Sequence, residues 1–92
     1  MIQSFRHKGL EKFFLVGNKA GIRPQHAERL NRQLSVLNIA TKPTEMNQPG
    51  WRLHPLTGLD RGRWSVWVSG NWRLTFAFDE EHPYAVDYLD YH

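Results

Sequence analysis

The strongest constraint in this chain is a pair of alternating runs joined by a turn. Trp64, Val66 and Val68 alternate with Ser65, Trp67 and Ser69, Ser69-Gly70-Asn71 interrupts, and Trp72, Leu74, Phe76 and Phe78 alternate with Arg73, Thr75 and Ala77. Successive strand side chains point to opposite faces, so the pattern is a β-hairpin with one apolar and one more polar side. The apolar side needs a cover, and the preceding residues supply it. Leu10, Phe13 and Phe14, stopped by Gly17-Asn18, predict a short amphipathic helix. Ala27, Leu30, Leu34 and Leu37 after Pro24 predict a stronger one, with Glu28, Arg29, Arg32 and Gln33 off its apolar stripe. Met1 to Phe5 reads as a short first strand, Thr41 to Gly50 as a connection, and Tyr84 to Tyr91 as a last strand after the Asp79–Pro83 turn. The expectation is an α+β fold, with two N-terminal helices packed on one face of a small, mainly antiparallel sheet. At 92 residues, it is read as a single domain over 1–92.

Composition narrows the class. The longest apolar run, Phe13-Phe14-Leu15-Val16, is far below the ~20 residues of a membrane span, and Met1-Ile2-Gln3-Ser4 is not the apolar stretch of a signal peptide. No membrane association and a cytoplasmic location are expected. Without Cys there is no disulfide, thiol nucleophile or thiolate metal site, so aromatic side chains must fill the core. Charge is distributed steeply: residues 1–42 carry eight Lys/Arg against two Glu, whereas 79–92 hold five carboxylates and no Lys or Arg. A basic body of this kind suits a polyanion or an acidic protein partner.

Several residues have the chemistry for a site. Alternation sets Arg73 on the face opposite Trp72 and Leu74, where its guanidinium either pairs with Asp87 or Asp90 across the strands or clamps a phosphate. The segment Asp90-Tyr91-His92 places three proton-moving groups after a strand, or is a polar tail. His54, before the Gly58 and Gly62 turns, is a packing residue or, with His92, half of an acid–base pair. Arg29 and Arg32 are solvated or contact RNA or a partner. His7, His26 and His82 read as surface residues. No i,i+4 His pair or Cys set offers a closed metal site, and neither a metal nor another cofactor is expected.

These residues also carry a resemblance. Arg52-Leu53-His54-Pro55-Leu56-Thr57-Gly58, Gly62-Arg63-Trp64-Ser65-Val66, Asn71-Trp72-Arg73-Leu74-Thr75-Phe76 and Val86-Asp87-Tyr88-Leu89-Asp90-Tyr91-His92, in that order, resemble the HigB branch of the RelE/ParE toxin superfamily. Met1 to Phe5, the second-helix pattern and Ala40-Thr41 extend the resemblance over essentially the whole chain. It implies a RelE/ParE-like fold and a ribosome-dependent mRNA endonuclease, the toxin of a type II toxin–antitoxin pair. Its expected partners are a helix-turn-helix, HigA-like antitoxin and mRNA in the A site of the small ribosomal subunit, with DNA met only through the antitoxin complex.

The implied reaction is metal-free attack of a ribose 2′-OH on the neighbouring phosphate. By resemblance, Arg73 stabilises the phosphorane, His54 and His92 are candidate proton-transfer groups, Asp90 orients a His or acts as base, and Tyr91 stacks on a base or donates a proton. Many relatives carry Lys where this chain has Thr57, and a further cation at the position of Ser69. Phosphate contacts are therefore expected from Lys8, Arg52, Arg61 and Arg63. A ParE-like gyrase poison and a non-catalytic RNA- or ribosome-binding module are the alternatives.

Overall fold

The computed structural model describes residues 1–91. Helix α1 spans Lys8–Val16 and helix α2 spans Ala27–Ile39. Strands β1 (His54–Pro55), β2 (Arg63–Ser69), β3 (Trp72–Asp79) and β4 (His82–Asp90) form an antiparallel sheet in the order β1-β2-β3-β4. This is the expected α+β arrangement. Among the described residues no helix is long and apolar enough to cross a membrane.

Local chemistry sets the helix ends. His7 caps α1, its Nδ1 accepting from the Leu10 amide at 2.9 Å, and Gly17 closes the helix at φ 76°. That left-handed turn suits glycine, which has no Cβ to clash. A 3-10 turn, Pro24–His26, leads into α2, with Pro where the missing amide proton costs nothing. Leu10, Phe13, Leu30, Leu34 and Leu37 pack against Val66, Val68, Leu74, Phe76, Val86 and Tyr88.

Four sequence expectations change. Met1 to Phe5 is not a full strand: it makes a single parallel bridge, Phe5 to Val86, with further backbone bonds from Gln3 to Pro83 and from Arg6 to Val86. Gln33 is buried rather than off the packed face, because its Nε2 donates to the Trp67 carbonyl at 2.9 Å. His7 is half-buried, turned edge-on to Tyr88. His26 is only 4% exposed. Its Nδ1 lies 2.6 Å from the Tyr88 hydroxyl, and Trp72 stacks on Tyr88 beside it. A half-polar aromatic buries easily once its polar atom has a partner, and the partner lies 62 residues away. His82 is exposed, as expected.

Two stability predictions follow from this packing. A Cβ on Gly9 would lie 2.7 Å from the Gly21 Cα, so Gly9→Ala should cost about 1–3 kcal/mol, read as a lowered midpoint in urea. Burial, then the Arg23 charge, lowers the pKa of His26 below its ordinary value. The unfolded chain therefore takes up this proton first, and the stability linked to His26 is fully present above about pH 6.5 and lost as pH falls through the folded value. Thermal melts at pH 7.5 and 5 should show a larger loss for the native chain than for His26→Gln.

Candidate active site

The sheet face turned away from the helices is assembled by register. His54 pairs with Ser65, Ser65 with Thr75, and Thr75 with Asp87, so each strand gives one polar residue to a single row. Such cross-strand partners stand about 5 Å apart. Trp67, Arg73 and Leu89 form the next row on one side, and Arg63, Ala77 and Tyr84 the row on the other.

Hydrogen bonding fixes the tautomer of His54. Its Nδ1 lies 3.1 Å from the Arg52 carbonyl oxygen. A carbonyl only accepts, so Nδ1 carries the proton. In the neutral ring Nε2 then holds the lone pair, and the Ser65 hydroxyl 3.3 Å away is placed to donate to it. His54 is solvent-exposed, which leaves this imidazole accessible as a proton acceptor.

Arg73 sits on the polar face, but not in the ion pair considered from sequence. Its Nη1 donates to the Gly70 and Trp72 carbonyls at 3.0 and 3.1 Å. Asp87 instead accepts from the Tyr88 amide at 2.9 Å, and Asp90 pairs in register with Trp72. Nε and Nη2 of Arg73 have no partner among the described residues, which leaves a cationic edge for an anion.

Tyr91 joins the same electrostatic environment. It is 37% exposed, and its amide donates to the Asn71 carbonyl at 2.8 Å, tying the end of the sheet to the hairpin loop. Burial raises the phenol pKa above its ordinary value; Asp60 and Asp87 push it further up, while Arg63 and Arg73 pull it down. A phenol held protonated is a proton donor. With Asp90 and Leu89 it lines a shallow depression closed on the other side by Leu56, Thr57 and Asp60.

The remaining expected RNA contacts are scattered. Arg61 is exposed in the loop before β2, and Lys8 is exposed in the helix layer rather than on the face that carries His54. Arg52 is exposed, with its guanidinium 4.5 Å from the Trp67 ring centroid. Arg63 is only 7% exposed. Its Nη2 donates to Thr75 Oγ1 at 2.8 Å and to the Ala85 carbonyl at 2.7 Å, so it braces the site from within and presents no open fork. Alternation puts Arg63 on the polar side, but β4 encloses it there. His92 lies outside the described residues.

Sequence reasoning missed Ser65, Thr75 and Asp60. The two hydroxyls were visible as polar members of the alternating runs, yet nothing local pairs them with His54, because β1 is two residues long. Asp60 gave no signal.

A family model for the RelE-like toxin of the type II toxin–antitoxin system HigB matches residues 3–92. The chain belongs to the HigB-like toxins. It is also 42% identical to the endoribonuclease HigB of Proteus vulgaris over 92 residues, the full length of both chains. As the toxin of a type II system, this HigB-like protein has an antitoxin as its partner.

The charge environment of Tyr91 is testable in this toxin. A carbon-13 NMR titration of tyrosine ring carbons should place the Tyr91 midpoint above about 10. Asp60→Asn should bring it down, because a carboxylate that disfavours the phenolate is gone, and Arg73→Gln should push it up. Unchanged midpoints in both variants would remove Tyr91 from this cluster.

Proposed function

We propose that this toxin is a ribosome-dependent mRNA endonuclease that cuts by attack of a ribose 2′-OH on the adjacent phosphodiester. The observation that carries the reading is the placement, on one sheet face of a HigB-like chain, of an exposed imidazole, a guanidinium edge with no partner among the described residues and a phenol whose pKa is raised. The name of its Proteus vulgaris relative, an endoribonuclease, supports the same activity.

The roles follow from the chemistry of each group. Nε2 of His54 takes the 2′-OH proton as the oxygen attacks phosphorus. Nε and Nη2 of Arg73 bind the non-bridging oxygens, whose negative charge grows in the phosphorane. Tyr91 donates a proton to the departing 5′-oxygen, with His92 the alternative donor and Asp90 the group that orients it. The bond between phosphorus and the 5′-oxygen breaks, leaving a 2′,3′-cyclic phosphate and a 5′-hydroxyl. This chemistry needs no metal or other cofactor, since proton transfer and charge neutralisation are both supplied by side chains.

Dependence on the ribosome is supported by the shape of the site. His54 is exposed above a row whose Ser65 and Thr75 are buried, and Thr57 and Ser69 offer no positive charge to align a flexible strand for in-line attack. Alignment is worth several kcal/mol of barrier, and the A site of the small ribosomal subunit supplies it by holding the codon. The basic residues of the body, Lys8 and Arg61 among them, dock on ribosomal RNA. A HigA-like antitoxin with a helix-turn-helix is the silencing partner and carries the complex to DNA. The setting is the cytoplasm, where ribosomes translate.

Primer extension on messages bound to programmed ribosomes should show cuts within codons, with 5′-hydroxyl ends, and little cutting of naked RNA. Arg73→Ala should lower the rate by about 10²–10³ without lowering the melting temperature. Ends bearing a 5′-phosphate would overturn the 2′-OH mechanism, and equal cutting of naked RNA would overturn the ribosome requirement.

A further inference from the structure

Beyond the short β1, the outer edge of β2 carries an arrangement that the reaction does not use. The Trp67 amide donates to the Trp51 carbonyl at 2.7 Å. The Trp67 carbonyl accepts from Gln33 Nε2 at 2.9 Å and from Arg29 Nε at 3.3 Å, so α2 reaches round the sheet edge to this residue. Indole Nε1 donates to the Gly70 carbonyl at 2.9 Å, which fixes the ring plane. The Cζ atoms of Arg52 and Arg29 lie 4.5 and 5.2 Å from the ring centroid. Arg73, the cross-strand partner of Trp67, donates to the same Gly70 carbonyl. Two guanidinium groups thus lie against one indole, and a third, that of Arg73, shares the carbonyl that the indole binds.

These cations are gathered at a cost. No carboxylate lies within ion-pair distance of Arg29, Arg52 or Arg73 among the described residues; the ion pair seen there is Arg32 to Glu28, at 4.0 Å. Arg52 also holds a left-handed backbone at φ 52°, uncommon for a residue with a Cβ. Like charges converging on a surface are relieved by a bound anion. Stacking on an indole orients a guanidinium while leaving its in-plane N–H donors outward, the geometry that grips a phosphate through two oxygens. Arg52 donates no hydrogen bond within the described chain, so its whole donor edge is available.

Continuity with the reaction centre identifies the occupant. The carbonyl of Arg52 accepts the bond that orients His54, and Arg73 belongs to both groups. We propose that Arg52, seated on Trp67 beside an Arg29 whose Nε and Nη2 are held by the Trp67 and Gly50 carbonyls, forms a subsite for a non-scissile phosphate of the RNA strand that His54 and Arg73 cut. This rests on the reading of the toxin as an RNA-cleaving enzyme. The subsite fixes the register of the strand: holding a neighbouring phosphate limits how the scissile one slides past Nε2 of His54.

The probe is a short, fully 2′-O-methylated single-stranded RNA, which lacks the attacking hydroxyl and stays intact. In NMR titrations of the native toxin, the Trp67 indole N–H resonance should shift on adding it, and the plot of log affinity against log salt should be steep. Arg52→Gln should lower that slope by about 0.7, the value of one single-strand phosphate contact, and abolish the Trp67 response. Arg52→Lys, which keeps the charge and loses the fork, should restore part of the slope. Melting temperatures close to that of the native protein would exclude unfolding as the cause. A silent Trp67 resonance in the native toxin, or an unchanged slope in Arg52→Gln, would overturn the subsite. Weaker binding of Arg52→Gln to empty ribosomes, with unchanged affinity for the oligonucleotide, would also overturn it. The cleavage assay is read separately: cutting with no Trp67 response leaves the enzyme standing without the subsite, whereas a Trp67 response with no cutting of any RNA leaves an RNA-binding site and removes the enzyme.

Discussion

A buried guanidinium holds the working half of the sheet together. Arg63 starts on β2, bonds Thr75 on β3 and reaches the Ala85 carbonyl on β4, joining three strands with one side chain. Burial lowers its pKa, with Arg6 adding to the effect and the Asp87 and Asp60 carboxylates opposing it. A cation enclosed this way persists only with hydrogen bonds and counter-charge nearby. Its Nη1 remains buried without a partner, so the brace is only partly satisfied, and the adjoining carboxylates are part of what retains it.

The position of that brace matters because Ala85 is where β4 changes phase. Thr75 pairs with Asp87 but Ala77 pairs with Tyr84, so β4 carries one extra residue between them, and Ala85 takes φ 51° to accommodate it. A one-residue change of register reverses the face of every following side chain. After the bulge, Val86 and Tyr88 enter the core and Asp87 and Leu89 turn to the polar face. The core and the candidate site are therefore set by the same irregularity.

The opposite face shows the same economy. Tyr88 is fastened in the core by His26, Trp72 and His7, and it immediately precedes the segment whose Tyr91 amide is tied to Asn71. Helix-side packing thereby positions the chain that delivers Asp90 and Tyr91. Burial raises the Tyr88 phenol as well, so it stays neutral and hydrogen-bonded as a structural group. Arg23, stacked 5.4 Å over Trp72, closes this cluster towards solvent.

Some of this was written in local pattern. The period-two runs from Trp64 to Phe78, the stripe from Ala27 to Leu37 and the Gly17 stop each depend on neighbours in sequence, and so they gave the hairpin, both helices and the side of the strand on which Arg73 stands. The string of motifs around His54, Arg73 and Asp90 was enough to suggest the family. Tertiary structure alone decided what meets what. It buried His26 and Arg63 beside partners 62 and 22 residues away, aligned Ser65 and Thr75 with His54 through a strand of two residues, and brought Arg29 round the edge of β2 to Trp67. The reason is physical: side-chain direction follows from backbone periodicity, which is local, whereas register, burial and charge environment depend on contacts that exist only once the chain has closed on itself.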